Sequence, residues 1–90
     1  MALRRRINEI RGYKCITIPV RQMGIYGSNI RIDLLRLFKK DGTVKKIYTT
    51  FYRNIKRSNW IFIPRLICEL YGIEKGDIIE FEITPVTVKR

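Results

Sequence analysis

The feature that most constrains the fold is a short pattern that occurs twice in the 90-residue chain, at residues 11–19 (RGYKCITIP) and at residues 56–64 (KRSNWIFIP). Each copy has a basic turn, a β-rich run and a final Ile-Pro, and each is followed by Gly-Ile and a second glycine. Internal repeats reveal how a chain is organised. The pattern predicts one domain, residues 1–90, built from two copies of a β-hairpin unit, with repeat 1 at about 3–39 and repeat 2 at about 45–84.

The positive charge of the chain is concentrated in its first two thirds. The formal net charge is +11, with 16 Lys and Arg against three acidic residues in positions 1–65 and three against five in positions 66–90. Such asymmetry is informative about partners rather than about fold. A twofold basic unit suits duplex DNA, a symmetric polyanion. The alternative is a solubilising basic surface that has no cognate ligand.

Composition also predicts where the protein resides. A hydrophobic fraction of 46% is too high for a disordered chain, and no apolar run or leader pattern predicts a membrane span or secretion. Cys15 and Cys68, in a chain without histidine, favour neither a zinc site nor a disulfide scaffold, so we expect two buried thiols. We therefore predict a cytoplasmic protein without cofactor or metal, in the host cytoplasm if it is viral. The many Ile, Lys and Arg residues are compatible with a thermophilic archaeon or its virus.

Hydrophobic periodicity predicts a mainly β fold with one or two short helices. Residues 3–10 are expected to form an edge strand or a basic arm, and residues 13–20 a strand followed, over 21–29, by at most one helical turn and a loop. Residues 30–38 fit either a strand or a helix, and the repeat favours the strand. Asp41-Gly42 predicts a type I′ hairpin turn into a strand at 44–53.

The second half gives clearer signals. The apolar run 60–63 predicts a central strand with Trp60 in the core. Pro64 can begin a helix that Gly72 ends, and we expect its apolar face to comprise Leu66, Ile67, Leu70 and Tyr71. Residues 77–83 alternate, so Ile79 and Phe81 should face the core and Glu80 and Glu82 outward. Thr84-Pro85 is expected to end this strand, and residues 86–90 allow a short final strand.

Residues 51–83 resemble the swapped-hairpin DNA-binding domain of the AbrB/SpoVT family of transition-state regulators. The resemblance rests on an ordered set of residues: Arg53, Ile63, Pro64, Leu70, Gly72, Ile73, Gly76, Asp77 and Glu80. Residues 3–34 resemble a degenerate first copy, in which Ile10, Arg11, Ile16, Ile18 and Pro19 align with Ile55, Lys56, Ile61, Ile63 and Pro64, and Gly24-Ile25 with Gly72-Ile73. In that family two chains interlock their hairpins. The resemblance implies that this chain supplies both halves, as a tandem swapped-hairpin barrel.

The predicted function is non-enzymatic binding of double-stranded DNA, as a transcriptional regulator or an architectural protein. Arg53 is the basic residue that matches the family pattern directly. Charge alone adds further candidates for phosphate or base contacts: Arg4, Arg5, Arg6, Arg11, Lys14, Arg21, Lys56, Arg57 and Arg65. We expect a homodimer, or alternatively a monomeric pseudo-dimer.

Two other functions remain open, whereas catalysis is disfavoured. Aromatic residues beside basic ones, such as Tyr13 and Tyr52, also suit single-stranded DNA or RNA, whose bases stack on aromatic rings. The resemblance further allows an antitoxin-type DNA-binding protein, since AbrB-like domains serve as the DNA-binding heads of toxin-antitoxin pairs. The chain lacks histidine, the commonest general base, and a glycine loop for phosphates, so we predict no enzymatic activity.

Overall fold

The computed structural model describes residues 2–19, 23–24, 27–55 and 59–86. Within these ranges the protein is mainly β, which confirms the predicted class. The described strands and the short helix are β1 (Leu3–Arg6), β2 (Asn8–Ile10), β3 (Tyr13–Thr17), β4 (Asn29–Phe38), β5 (Val44–Asn54), β6 (Trp60–Phe62), α1 (Arg65–Tyr71) and β7 (Ile78–Val86).

The strands form two antiparallel sheets. A four-stranded sheet has the order β1-β7-β4-β5, and a three-stranded sheet has the order β2-β3-β6. The predicted edge strand at 3–10 is present, but it breaks at the buried Ile7 and contributes one segment to each sheet. At the break the Ile7 amide donates to the Asp77 carbonyl at 2.7 Å, and the Ile7 carbonyl accepts from the Gly76 amide at 2.9 Å.

A single hydrophobic core joins the two sheets and draws on both repeats. Ile16 and Ile18 of the first repeat belong to the same buried cluster as Ile61, Ile63 and Phe81 of the second. Side chains of both repeats are therefore buried together. Both cysteines are free and buried, as expected.

A β-bulge explains the mixed periodicity of residues 30–38. The segment is a strand, as the repeat predicted, but its register against both neighbours shifts between Leu34 and Arg36. Ile30, Ile32 and Leu34 are buried before the shift and Leu37 after it. The extra residue of the bulge moves the side chains after it to the opposite face of the sheet. The buried positions then have a spacing similar to that of an α-helix.

The predicted type I′ turn at Asp41-Gly42 is wrong. Of these two residues only Gly42 has positive φ, and the Gly42 amide donates to the Lys39 carbonyl at 3.0 Å, so the hairpin has a three-residue loop. The Asp41 carboxylate accepts from the Thr43 amide at 2.8 Å, which stabilises this alternative turn. Arg11 and Gly12, at φ 52° and 83°, instead have the two positive values that a type I′ turn requires.

Strand β6 differs from its prediction. It lies at one edge of the three-stranded sheet rather than at its centre, and alternation buries Ile61 while Trp60 is 39% and Phe62 41% exposed. The predicted burial of Trp60 in the core is therefore wrong. A strand with apolar residues on both faces is fully buried only when other parts of the protein cover both of those faces.

Helix α1 begins after Pro64 and ends at Gly72 (φ 65°), as predicted. Its predicted apolar face is wrong for Leu66 and Leu70, which are 66% and 67% exposed. Cys68 is the buried residue of this helix, and Ile67 and Tyr71 pack partly against the core. A seven-residue helix has apolar side chains on more than one side, so spacing alone does not identify the buried side.

Strand β7 extends past its predicted end. Pro85 pairs with Ile30 of β4, whereas β1 covers β7 only as far as Phe81. Pro85 therefore lies where one side of the strand has no described partner, and its missing amide hydrogen breaks no ladder bond there. Of the predicted final strand at 86–90, Val86 belongs to β7 and the rest lies outside the described residues.

Candidate nucleic-acid interface

The two Ile-Pro strands, β3 and β6, pair with each other in a symmetric register. Ile16 lies opposite Ile61, Cys15 opposite Phe62, and Thr17 opposite Trp60. Beyond this ladder the Ile18 amide donates to the Asn59 carbonyl and the Ile63 amide to the Lys14 carbonyl, both at 2.9 Å. The two donors, Ile18 and Ile63, are separated by the same number of residues as the two acceptors, Lys14 and Asn59. The bonds therefore obey an approximate twofold relation between the repeats.

A second matched set of hydrogen bonds occurs where the chain leaves the four-stranded sheet. The contacts of Ile7 with Gly76 and Asp77 have a counterpart at Ile55, whose amide donates to the Ser28 carbonyl at 2.8 Å and whose carbonyl accepts from the Gly27 amide at 2.6 Å. The sequence alignment matched Ile55 with Ile10, whereas these bonds match it with Ile7. The first repeat thus has three additional residues between this isoleucine and its Ile-Pro.

This match gives Arg53 a counterpart that the sequence alignment missed. Arg53 and Arg5 each donate Nη1 to the carbonyl of the preceding residue at 2.9 Å. Arg53 also donates Nη2 to the Phe62 carbonyl at 3.1 Å and lies 4.9 Å from the centre of the Phe51 ring. Burial lowers the pKa of Arg53, which stays charged at neutral pH. Arg53 therefore joins the two sheets, in addition to any contact with a ligand.

Three other predicted site residues lie around the β2–β3 turn and α1. Arg11 is exposed at the turn, and Lys14 and Arg65 line a groove between this turn and the helix, together with Tyr13, Cys68 and Glu69. Lys14 Nζ lies 3.1 Å from a Glu9 carboxylate oxygen, and Arg65 Nε lies 3.6 Å from one of Glu69. Surface ion pairs of this kind contribute little, so the two cations can exchange these partners for a phosphate.

Arg4 lies elsewhere, on the outer face of the four-stranded sheet. It donates Nε to Glu80 at 3.0 Å and stacks 4.7 Å from the centre of the Phe38 ring. Arg36 binds the same carboxylate through two nitrogens, at 2.8 and 3.1 Å. These hydrogen bonds, from Arg36 first and then Arg4, hold the pKa of Glu80 below its usual range. Arg4 is thus engaged within the protein, and Glu80, predicted to be a simple outward residue, is buried beneath two arginines.

The outward side of the three-stranded sheet carries exposed rings. Ile16 and Ile61 face the core, so alternation directs Tyr13, Trp60 and Phe62 outward, and we call these three side chains the aromatic face. The Tyr13 ring meets the Phe62 ring edge to face, with centroids 6.2 Å apart. Tyr13 also borders the groove that contains Lys14 and Arg65. The sequence suggested a role for Tyr13 but assigned Trp60 to the core.

The structure therefore brings together four of the predicted basic residues and separates three others. Arg11, Lys14, Arg53 and Arg65 surround the three-stranded sheet. Arg4, Arg5 and Arg6 lie on the edge strand β1 of the four-stranded sheet, which we call the far sheet. Arg4 and Arg6 are opposite Glu80 and Ile78 there. Arg21, Lys56 and Arg57 lie outside the described residues.

Comparisons and searches of the described chain add few further constraints. Within the described ranges no three His, Cys, Asp or Glu side chains cluster closely enough to hold a metal ion. Over the same residues no helix has the length and apolarity needed to cross a membrane. No protein-family model, curated protein or solved structure matches this chain.

Proposed function

We propose that this protein is a non-enzymatic double-stranded DNA-binding protein, a transcriptional regulator or an architectural protein, built as a tandem AbrB-like swapped-hairpin barrel. The observation that carries the proposal is the pairing between the repeats. The first strand of each repeat pairs with the last strand of the other, β1 with β7 and β5 with β4, and the Ile-Pro strands pair across. This pairing between the repeats supports an interlocked arrangement of the kind that the family resemblance implies.

The charge distribution supports duplex DNA as the ligand. Residues 1–65 carry a large excess of Lys and Arg, and the two basic copies of the sequence pattern suit a duplex, whose phosphates are arranged with twofold symmetry. The free, buried Cys15 and Cys68 fit a reducing, cytoplasmic compartment. We expect the protein to act as a homodimer, with the monomeric pseudo-dimer as the alternative.

A salt titration tests the proposal. Equal lengths of duplex DNA, single-stranded DNA and RNA are compared by fluorescence anisotropy between about 50 and 200 mM salt, the range over which counterion release has a large effect. If about six phosphates are contacted, the log-log slope for duplex DNA should be close to −5. Duplex DNA should bind most tightly at every salt concentration.

Paired variants locate the binding surface. Arg11→Ala and Lys14→Ala should each weaken binding and reduce the slope by about 1. Lys46→Ala is the matched control, because Lys46 is an exposed cation opposite Arg36 on the far sheet. Arg53→Ala is interpreted only after its stability is measured, since Arg53 also binds the Phe62 carbonyl. Tighter binding of single strands, or an equal loss from Lys46→Ala, contradicts the proposal.

A further inference from the structure

The aromatic face does not fit the requirements of a surface that contacts only phosphates. Tyr13, Trp60 and Phe62 are 57%, 39% and 41% exposed, on a sheet whose other side fills the core. Phosphate contacts are made by cations and hydrogen-bond donors, whereas rings of this kind offer flat apolar area for stacking.

We propose that the aromatic face stacks unpaired nucleobases, so that the protein prefers DNA containing an unpaired base to a fully paired duplex. This inference rests on the proposed function and names the DNA structure recognised at the same site. The first supporting observation is the spacing of two of these residues along β6. Trp60 and Phe62 are two residues apart on one strand, so their Cα atoms are separated by about 6.7 Å.

That separation is about twice the 3.4 Å rise between stacked bases of one DNA strand. Adjacent stacked bases of a duplex therefore do not match the spacing of these two residues, and each base face is already covered by its stacked neighbour. A base that has left the stack can do so, and any base has a π face suited to the contact. The geometry thus favours an unpaired base within a duplex at this face, while the flanking paired DNA supplies the phosphates of the proposed function.

Charge complementarity is the second argument and selects a nucleic acid as the occupant. Arg53 reaches the backbone of Phe62, and Lys14 and Arg65 line the groove that Tyr13 borders. A strand whose bases lie on the rings would place phosphates near these cations. A second copy of the chain, whose own net charge is +11, would be repelled by these cations, so the expected homodimer would form through another surface.

The chain contains its own reporter, because Trp60 is its only tryptophan. The probes are a 20-base-pair duplex, the same duplex with one extra unpaired thymine, and a 15-nucleotide oligothymidine, all at one salt concentration. We expect the unpaired thymine to quench Trp60 fluorescence and to tighten binding by about 5- to 160-fold, the range for one base stacked on a ring. The intact duplex should quench little.

Variants separate stacking from charge. Phe62→Leu and Trp60→Leu remove a ring but keep an apolar side chain, and they should abolish the preference while changing intact-duplex affinity less than twofold. Tyr48→Leu is the matched control, an exposed aromatic residue of β5 on the far sheet, and it should keep the preference.

The outcomes distinguish this inference from the proposed function. Equal binding of the bulged and intact duplexes overturns the inference, and the proposed function stands if the intact duplex still binds with a steep salt slope. Loss of the preference in Tyr48→Leu, or a change of oligomeric state rather than of DNA preference in Phe62→Leu, also overturns it. Failure of every probe to bind contradicts both.

Discussion

Removing the Asp77 carboxylate should destabilise the protein more than any other single polar change described above. Asp77 is fully buried just before β7. Its Oδ2 accepts from Lys39 Nζ at 2.6 Å and from the Glu74 amide at 2.9 Å, and its Oδ1 accepts from the Lys40 amide at 3.2 Å. This carboxylate therefore ties the turn that precedes β7 to the β4–β5 hairpin.

The size of the effect follows from the groups left without a partner. In Asp77→Ala the Glu74 and Lys40 amides lose their acceptor, at about 1–3 kcal/mol each if water does not replace it. Lys39 keeps the Gly72 carbonyl at 2.6 Å and a Glu74 oxygen at 3.1 Å, so its loss is smaller. We expect a decrease of about 3–5 kcal/mol in the free energy of unfolding, as for other buried charge pairs that lose one partner. Asp77→Asn should lose less, since its carbonyl oxygen can still accept.

Urea unfolding at neutral pH, followed by Trp60 fluorescence and far-UV circular dichroism, measures this change. Asp41→Ala is the control, because Asp41 is an exposed carboxylate in a turn of the same hairpin. It should have a much smaller effect. A loss below about 1 kcal/mol in Asp77→Ala would refute the reasoning, since one unsatisfied buried amide alone costs that much.

The pH dependence gives an independent check. Burial by itself raises the pKa of Asp77, but the hydrogen bonds from Lys39 and the two amides outweigh it and leave the pKa below its ordinary value. A carboxyl with a depressed folded-state pKa stabilises the protein above its unfolded pKa, about 3.9, and loses that contribution as the pH falls through the folded value. The stability difference between the wild type and Asp77→Asn should therefore shrink below about pH 4.

Three further predictions follow from the core, the far sheet and the strand pairing. Phe81→Ala should cost about 3–5 kcal/mol in urea unfolding, because Phe81 is fully buried, and a loss under about 1 kcal/mol would make β7 peripheral. Glu80→Gln should be less stable than the wild type at neutral pH, with the difference fading below about pH 4.3, because the folded-state pKa of Glu80 is depressed; a constant difference contradicts this. Dilution to nanomolar concentration should not unfold the chain, because its strands pair internally. Light scattering at micromolar concentration should give a dimer, and a concentration-independent monomer would contradict that expectation.

The sequence predicted elements well where one local rule governs them. Pro64 and Gly72 mark the ends of α1 because each acts through its own backbone geometry. The turn at Asp41-Gly42 was predicted wrongly, because the same dipeptide fits a two-residue and a three-residue loop, and the Asp41 bond to Thr43 selects the latter. The bulge near Leu35 depends on two neighbouring strands, so no pattern within β4 alone could reveal it.

The candidate site was less predictable than the fold. Charge identified Arg11, Lys14 and Arg65, which the structure places around one sheet. It could not show that Arg4 is bound to Glu80, because that contact joins residues at opposite ends of the chain. Trp60 was assigned to the core because its strand is apolar on both sides, and only the exposure of Trp60 and Phe62 shows that the described residues leave one of these sides partly open to solvent.

The internal strand exchange also affects how such a protein can evolve. In a symmetric homodimer every substitution appears at two equivalent positions, so the two halves change together. Here the halves belong to one chain, and they already differ, with Gly76–Asp77 in one and Gly27–Ser28 in the other at the matched isoleucine contacts. One half can keep the side chains that stabilise the fold while substitutions in the other half change its surface. A surface built in this way need not remain symmetric, and under the proposed function its DNA site need not be a palindrome.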